Sequence, residues 1–166
     1  MKDILYAPWR DEYIAGHEYD GCVFCHISSH AQEDEELQVL YRDEHCFIVM
    51  NRYPYTPGHF MIIPHVHTDK LEALDSAVWL HMSVLAQKCV RLLKEGFNAQ
   101  GVNIGMNLGA AAGAGIAEHI HMHLVPRYNR DTNFLTSIAQ NRVYSTDFLK
   151  VYKKLKALIP LYISSD

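Results

Sequence analysis

The stretch E-H-I-H-M-H-L-V-P, residues 118–126, places His119, His121 and His123 at alternate positions with apolar residues between them. Successive side chains of a β-strand point to opposite faces, so this spacing predicts a strand with three imidazoles on one face and apolar side chains on the other. Imidazole titrates near neutral pH and serves as a nucleophile, a general acid or base, or a metal ligand. The strand is therefore predicted to carry a reactive face.

Other segments of the sequence predict the rest of a sheet and two helices. Short apolar runs predict strands at residues 38–42, 45–51, 59–63 and 101–107, of which the first two form a hairpin. Apolar residues that recur every three or four positions predict amphipathic helices, and these helices span residues 71–95 and 146–159.

The ends of both predicted helices carry local signals. Asp69 followed by Glu72 predicts a capping box before the first helix, and Gly96 predicts its C-terminal end. Pro160 is expected to end the second helix, because proline lacks the backbone N–H that would continue it.

Length and composition predict one domain. The chain has 166 residues, of which 49% are hydrophobic, and this is enough for one buried core. We expect a single domain over residues 1–166, with an N-terminal segment (1–30), a core (38–128) and a C-terminal helix (146–160). The net charge of −4 gives no general attraction to nucleic acids or anionic membranes, so neither is a predicted partner.

The sequence also predicts a cytoplasmic location. It has no stretch of 18 apolar residues, and its start lacks the apolar centre of a signal peptide. Its four cysteines are too few for a disulfide scaffold of this size, which agrees with a reducing compartment. They are Cys22, Cys25, Cys46 and Cys89.

The loop that precedes the histidines is rich in glycine and alanine. Gly109, Gly113 and Gly115 do not have the G-x-G-x-x-G spacing and lead into a strand, which excludes a dinucleotide-binding fingerprint. Such a loop offers backbone N–H groups that a phosphate can approach closely. A plain surface turn is the alternative interpretation, and the position of the loop beside the histidines favours phosphate binding.

Residues 107–127, N-L-G-A-A-A-G-A-G-I-A-E-H-I-H-M-H-L-V-P-R, resemble the signature of the histidine triad (HIT) family. Residues 49–54, 57–59 and 62–64 are similar to the nucleotide-binding hairpin of that family. The continuation through residues 126–134 resembles the diadenosine tetraphosphate phosphorylase-like branch most closely. The fragile-histidine-triad-like branch carries a glutamine ahead of the triad, whereas this chain has Gly-Ala-Gly-Ile at 113–116.

The resemblance implies an α+β fold. Its features are an antiparallel sheet of about five strands, a long helix packed on the sheet, a C-terminal helix and pairing into a homodimer. The predicted order of elements agrees with this fold, because helices that are segregated from the strands suit an antiparallel sheet.

The resemblance also implies a chemistry, in which His121 attacks the α-phosphorus of a nucleotide and forms a covalent nucleotidyl-histidine. His123 is expected to hydrogen-bond the phosphate or assist the leaving group. An imidazole with the ordinary pKa of about 6.5 is roughly three-quarters neutral at pH 7, so no large pKa shift is required. The chain lacks a P-loop, so imidazoles, backbone N–H groups and, as one candidate, Arg127 are expected to meet the phosphate charge.

The expected substrate is a dinucleoside polyphosphate such as diadenosine tetraphosphate, cleaved by water or by inorganic phosphate. Asn51 corresponds to the position that contacts the ribose in related members, and a turn asparagine is the alternative interpretation. Asn107, Gly113, Gly115 and His123 complete the predicted substrate-binding set. No organic cofactor is expected.

A second candidate site begins with the C-V-F-C sequence at residues 22–25. No second C-x-x-C is present, so a Cys₄ ribbon is excluded and two further ligands must come from elsewhere. In zinc-bearing members of the broader family, the corresponding ligands would be His67 and His119. His65 and His26 are competing ligands, and two reduced cysteines without metal are the alternative. Four protein ligands leave no open position, so the predicted zinc has a structural role.

Three other functions stay open. The chain could be a nucleoside phosphoramidase, a nucleotide-binding signalling module with little catalysis, or a zinc-stabilised interaction protein. The last would leave His121 and His123 unexplained. The nucleotide-cleaving interpretation predicts that loss of His119 costs stability, whereas loss of His121 costs turnover alone.

Overall fold

Five antiparallel strands form the sheet in a computed structural model that describes residues 21–129, 131 and 146–163. The strands are β1 (Val39–Arg42), β2 (Cys46–Met50), β3 (Phe60–Pro64), β4 (Gly101–Gly105) and β5 (Met122–Arg127). Their order is β1-β2-β3-β5-β4, and each neighbouring pair is antiparallel. The predicted α+β fold and five-stranded sheet are confirmed.

The described residues form three α-helices beside the sheet: α1 (Val23–Ser29), α2 (Ser76–Arg91) and α3 (Phe148–Tyr162). The larger core lies between one face of the sheet and the two longer helices, and it includes Ile62, Leu85, Leu124 and Leu155. A smaller core on the opposite face packs against α1. Within the described residues, no helix is long and apolar enough to cross a membrane.

The histidine segment enters the sheet later than its alternation predicts. The last residue pair between β3 and β5 is Ile62 with Met122. Beyond this pair, Pro64 has no N–H to donate to the histidine segment, and its carbonyl accepts from Nε2 of His119. The N–H of Ile120 donates to the carbonyl of Thr68 at 2.8 Å, outside the sheet. His119 and His121 therefore precede the strand, although their side chains still lie opposite the large core.

The first long helix begins later along the chain than the sequence predicts. Leu71–Ala73 forms a separate 3₁₀ turn, and Leu74 is extended with ψ 138°, so α2 begins only after Asp75. The Asp75 carboxylate caps the helix by accepting a hydrogen bond from the N–H of Ala77 at 2.7 Å. The predicted capping box of Asp69 and Glu72 is therefore wrong. The helical path ends with a wider turn at Leu92–Gly96, as the glycine predicts.

The second predicted helix extends beyond its expected end. Pro160 lies within the last turn of α3, and the N–H of Ile163 still bonds to the carbonyl of Ile159 at 2.8 Å. Proline removes only one backbone donor so near the helix end, and α3 continues to Tyr162. Residues 1–20 of the predicted N-terminal segment and residues 132–134 of the family signature lie outside the described residues.

Candidate active site

The histidines 119, 121 and 123 share one side of the chain, and His119 and His121 pack against Phe24 of α1. Ring centroids of Phe24 and His121 are 5.1 Å apart, and those of Phe24 and His119 are 5.5 Å apart. The alternating residues Ile120, Met122 and Leu124 are buried in the large core. The predicted division of the segment into an imidazole face and an apolar face is thus observed.

One hydrogen bond fixes the protonation of the His121 ring. Nδ1 of His121 lies 2.8 Å from the carbonyl oxygen of His119. A carbonyl can only accept, so Nδ1 carries the proton and Nε2 keeps its lone pair in the neutral ring. The ring is 6% exposed and lines a cavity of about 520 Å³. A nitrogen nucleophile is therefore available at the cavity wall.

A chain of hydrogen bonds fixes the His123 ring through a second, fully buried histidine. The backbone N–H of Tyr55 donates to Nδ1 of His59 at 3.1 Å. The proton of neutral His59 must therefore be on Nε2, which lies 3.0 Å from Nδ1 of His123 and 3.2 Å from the amide nitrogen of Asn51. The amide nitrogen can only donate, so the Nε2 proton is directed to His123. Nδ1 of His123 accepts this bond, and its own proton is on Nε2. His123, which also lines the cavity, is thus set up as a hydrogen-bond donor.

Burial keeps these rings neutral. Burial, together with the neighbouring His123 and His121 rings, lowers the pKa of His59 to about 3. Burial, together with the His121 ring, lowers the pKa of His123 to about 4. The pKa values of His119 and His121 are lowered as well, again chiefly by burial. The neutral fraction at pH 7 is therefore larger than the three-quarters expected of an unperturbed imidazole.

The cavity brings together every residue that the sequence predicts to touch substrate. Its lining includes Asn51, Asn107, Gly113, Gly115, His121 and His123. The apolar part of the lining comes from α1, from strands β2 and β3, and from Leu37 and Ile116. The amide of Asn51 is 9% exposed, and its oxygen accepts the N–H of Tyr53 at 2.8 Å. An amide oxygen has two lone pairs, so this bond leaves one for a ligand.

The glycine-rich loop contains a short 3₁₀ turn, Ala110–Ala112. The N–H of Gly113 bonds to the carbonyl of Ala110 at 3.0 Å, so this particular donor is already used within the turn. Gly113 has φ +87°, a left-handed conformation that a side chain would strain. The glycine is therefore required by the path of the turn.

Arg127 is held by other residues. Its guanidinium makes two bonds to the Asp131 carboxylate, at 2.6 and 2.9 Å, and a third to the side chain of Asn103 at 2.9 Å. It lines a separate, open groove of about 360 Å³ that meets the main cavity at Tyr55, Asn107 and His123. The sequence makes Arg127 a candidate for binding the phosphate. Because its guanidinium is already paired with a carboxylate, it attracts a phosphate less strongly than an unpaired arginine would.

The four predicted metal ligands converge. Ligand atoms of Cys22, Cys25, His67 and His119 all lie within 4.8 Å of one another. The Sγ of Cys22 is 3.4 Å from Nδ1 of His119, and the Sγ of Cys25 is 3.2 Å from Nδ1 of His67. Bond lengths of about 2.3 Å for zinc–sulfur and 2.0–2.1 Å for zinc–nitrogen give a sulfur–nitrogen separation of about 3.6 Å in a tetrahedron. The group has the size and the chemistry to hold a metal ion.

The hydrogen bond on the far side of His119 also fits a ligand role. Nε2 of His119 donates to the carbonyl of Pro64 at 3.0 Å, so the lone pair is on Nδ1, which faces the two sulfurs. The competing histidines lie elsewhere. His65 bonds to Ser28 and to the backbone of Asp43, and His26 stacks on His30.

Asp43, Cys46 and His81 form a second group of potential metal ligands, and hydrogen bonds within the fold account for their proximity. Asp43 accepts from His81 Nε2 at 2.7 Å and from the backbone N–H groups of His45 and Cys46. Burial strongly raises the pKa of the Cys46 thiol, so the thiol stays protonated. The group links the turn between β1 and β2 to helix α2.

Sequence reasoning missed His59 and Phe24 as members of the site. The sequence places His59 in a predicted strand and in the segment similar to the nucleotide-binding hairpin, but it gives His59 no role, because its partner His123 lies 64 residues further along the chain. The available signal was a histidine at the start of an apolar strand, directly after Pro57-Gly58. Gly58 has φ +89°, and an added Cβ would lie 2.9 Å from the Phe97 ring, so this turn requires glycine.

Comparisons with known proteins agree with this geometry. The HIT domain family matches residues 32–130. A Mycobacterium tuberculosis protein named AP-4-A phosphorylase is 40% identical over 110 residues, which are 66% of this chain and 56% of that protein. Adenylylsulfatase HINT3 of Arabidopsis thaliana is 32% identical over 110 residues, which are 66% of this chain and 54% of that protein. The chain matches only about half the length of these curated relatives.

A solved structure is also similar. The crystal structure of a zinc-bound histidine triad family protein from Mycobacterium smegmatis aligns with TM-score 0.69 and 31% identity. The alignment covers 85% of this chain and 94% of that protein. The fold and the histidine site define an α+β protein of the histidine triad class. The chain belongs to the HIT domain family.

Proposed function

We propose that this protein cleaves dinucleoside polyphosphates by transferring a nucleotidyl group to His121. The observation that carries the proposal is the pair of fixed tautomers at the cavity wall. His121 has a free Nε2 lone pair, and His123 has an Nε2–H donor. A nucleophile beside a hydrogen-bond donor is the arrangement that attack on a phosphorus and departure of a phosphate oxygen require.

The first step forms a bond between Nε2 of His121 and the α-phosphorus, and it breaks the bond from that phosphorus to the bridging oxygen. The bridging oxygen leaves with the second nucleoside polyphosphate, and Nε2–H of His123 donates to the departing or non-bridging oxygen. In the second step an oxygen of water or of inorganic phosphate attacks the phosphorus, and the bond to His121 breaks. Diadenosine tetraphosphate then yields ATP with AMP by hydrolysis, or ATP with ADP by phosphorolysis.

The cavity supports a nucleotide as the ligand. Apolar residues of α1, β2 and β3 suit a base, and Asn51 is available for the ribose. The turn before the histidines lines the same cavity with Asn107, Gly113 and Gly115, and it is available for the phosphates. The name of the mycobacterial relative supports diadenosine tetraphosphate as the first substrate to test.

We also propose that Cys22, Cys25, His67 and His119 hold a structural zinc ion. When bound, zinc supplies a fixed tetrahedral link and no chemistry to the substrate, because its four positions are filled by protein. The zinc-bound mycobacterial structure supports this assignment.

A homodimer is part of the proposal. Strand β4 lies at the edge of the sheet, and its Ile104 is 49% exposed. An exposed edge strand can pair with the same strand of a second copy. Light scattering after size-exclusion chromatography tests the oligomeric state, and a monomer over the working concentration range would overturn it. A cytoplasmic location and a single domain over the whole chain stay predictions.

The function is tested by incubating the protein with diadenosine tetraphosphate, with and without inorganic phosphate, and identifying the products. ATP with AMP indicates hydrolysis, and phosphate-dependent ATP with ADP indicates phosphorolysis. Adenosine 5′-phosphosulfate and an adenosine phosphoramidate serve as parallel substrates, because both place another leaving group on the same α-phosphorus. The Arabidopsis relative is named for the first of these activities. Absence of cleavage with diadenosine tetraphosphate, together with turnover of a parallel substrate, would overturn the proposed substrate class.

A further inference from the structure

Phe24 lies between the two cysteines of the predicted metal cluster and contacts the predicted nucleophile. It is 3% exposed, and its ring packs edge-on against His119 and in a tilted orientation against His121. It also lines the 520 Å³ cavity. One side chain thus connects the metal cluster, the His121 ring and the substrate cavity.

The helix that carries Phe24 depends on contacts outside itself. Helix α1 has seven residues, which is too short for stability from its own hydrogen bonds. Its C-terminal end is held by Arg42, whose guanidinium donates to the carbonyls of Ile27 and Ser28 at 2.9 and 3.0 Å. At its N-terminal end, Cys22 provides no side-chain cap. At this end, the Sγ atoms of Cys22 and Cys25 contact His119 and His67, which belong to other segments of the chain.

We propose that Phe24 is a positioning residue for His121, and that metal ligation by Cys22 and Cys25 holds it there. The inference rests on the proposed nucleotidyl transfer to His121. Because α1 is also a wall of the cavity, the metal cluster sets the orientation of the nucleophile as well as the stability of the fold. Loss of a cysteine ligand therefore impairs turnover even in protein that remains folded.

The test compares Phe24→Leu with Ile27→Val. Leucine keeps most of the apolar volume at position 24 but removes the aromatic face that touches His121. Ile27 lies on the same helix and lines the same cavity, so its variant controls for a general loosening of α1. Both variants are first checked for wild-type metal content and folding by elemental analysis and circular dichroism.

Two readouts are recorded for each variant. The first is kcat with KM on the substrate that wild type cleaves. The second is the set of ¹⁵N chemical shifts of the His121 ring, measured by NMR without substrate. Phe24→Leu is expected to lower kcat about ten-fold or more, because small displacements of a nucleophile are costly. It is also expected to shift the His121 ring signals. Ile27→Val is expected to leave the His121 ring signals unshifted and to raise KM, with a much smaller loss of kcat than Phe24→Leu.

A chelator adds the metal arm of the experiment. Removal of the metal is expected to lower kcat in wild type and Ile27→Val, with a much smaller further loss in Phe24→Leu. Wild-type kcat and unshifted His121 signals in metal-loaded Phe24→Leu would overturn the inference. If wild type cleaves none of the substrates, the proposed function has failed, and the ring signals still decide whether Phe24 orients His121.

Discussion

At the scale of single residues, hydrogen bonds decide which nitrogen of each histidine carries its proton. The carbonyl of His119 accepts a hydrogen bond from Nδ1–H of His121, and the N–H of Tyr55 leaves the proton of His59 on the nitrogen that faces His123. The alternating spacing predicts that the triad shares a face, and this could be seen in the sequence. The role of His59 could not, because it depends on the pairing of β3 with β5 across a long connection.

Replacement of His59 tests this chain of hydrogen bonds. His59→Phe keeps a ring of similar size but leaves Nδ1 of His123 without its donor, and we expect kcat to fall between about ten-fold and a hundred-fold. His59→Gln retains an N–H donor and is expected to lose less. His45→Gln, at a partly exposed ring beside Glu44, serves as the control and should turn over like wild type. Equal kcat values for His59→Phe and wild type would show that the hydrogen bond from His59 to His123 does not contribute to turnover.

At the scale of elements, local signals predict most helices and strands, and tertiary contacts set their ends. The apolar period predicts the existence of α2, yet the start of this helix depends on the extended backbone of Leu74, which no local signal specifies. The C-x-x-C pattern predicts a metal site, but the choice among His26, His65 and His67 required the packing of α1 against the segment after β3.

Helix α2 provides a direct test of its cap. Asp75→Ala removes the acceptor for the Ala77 N–H and is expected to lower the free energy of unfolding by about 1 kcal/mol. Asp69→Ala, at the position that the sequence favours, should change it by less than about 0.5 kcal/mol. Urea denaturation measures both, and the reverse order would show that the helix begins earlier than Asp75.

The metal cluster is tested by its histidine ligands. His67→Gln removes the ligand atom that lies 3.2 Å from Cys25 Sγ, so we expect the purified variant to contain much less than one equivalent of zinc. His65→Gln is the matched control, because His65 bonds elsewhere, and it should retain the wild-type zinc content. Elemental analysis after purification without chelators decides between them. Less than about a tenth of an equivalent of zinc in purified wild type would overturn the proposal that this cluster holds zinc.

At the scale of the whole molecule, the buried histidines make stability depend on pH. The pKa of His59 is about 3 and that of His123 about 4, against about 6.5 in an unfolded chain. Between about pH 6.5 and pH 4, the unfolded chain therefore binds protons that the folded protein does not. The free energy of unfolding falls with decreasing pH by about 1.4 kcal/mol per pH unit for each such proton.

Denaturation of wild type and His59→Phe at several pH values checks this dependence. The variant is expected to have a shallower slope between pH 6.5 and pH 4, by about one proton, and the same slope above pH 7. Identical slopes in the acidic range would show that His59 is not held neutral by its burial.

The sheet brings residues from distant parts of the chain to one cavity, and the central claim is that His121 becomes covalently modified there. The most direct measurement is mass spectrometry of protein quenched during turnover of diadenosine tetraphosphate, followed by peptide mapping. We predict an AMP group on His121 in wild type. His121→Asn should bind nucleotide, carry no AMP and lose turnover by a factor on the order of 10⁴ or more. AMP on another residue, or undiminished turnover in His121→Asn, would contradict the account.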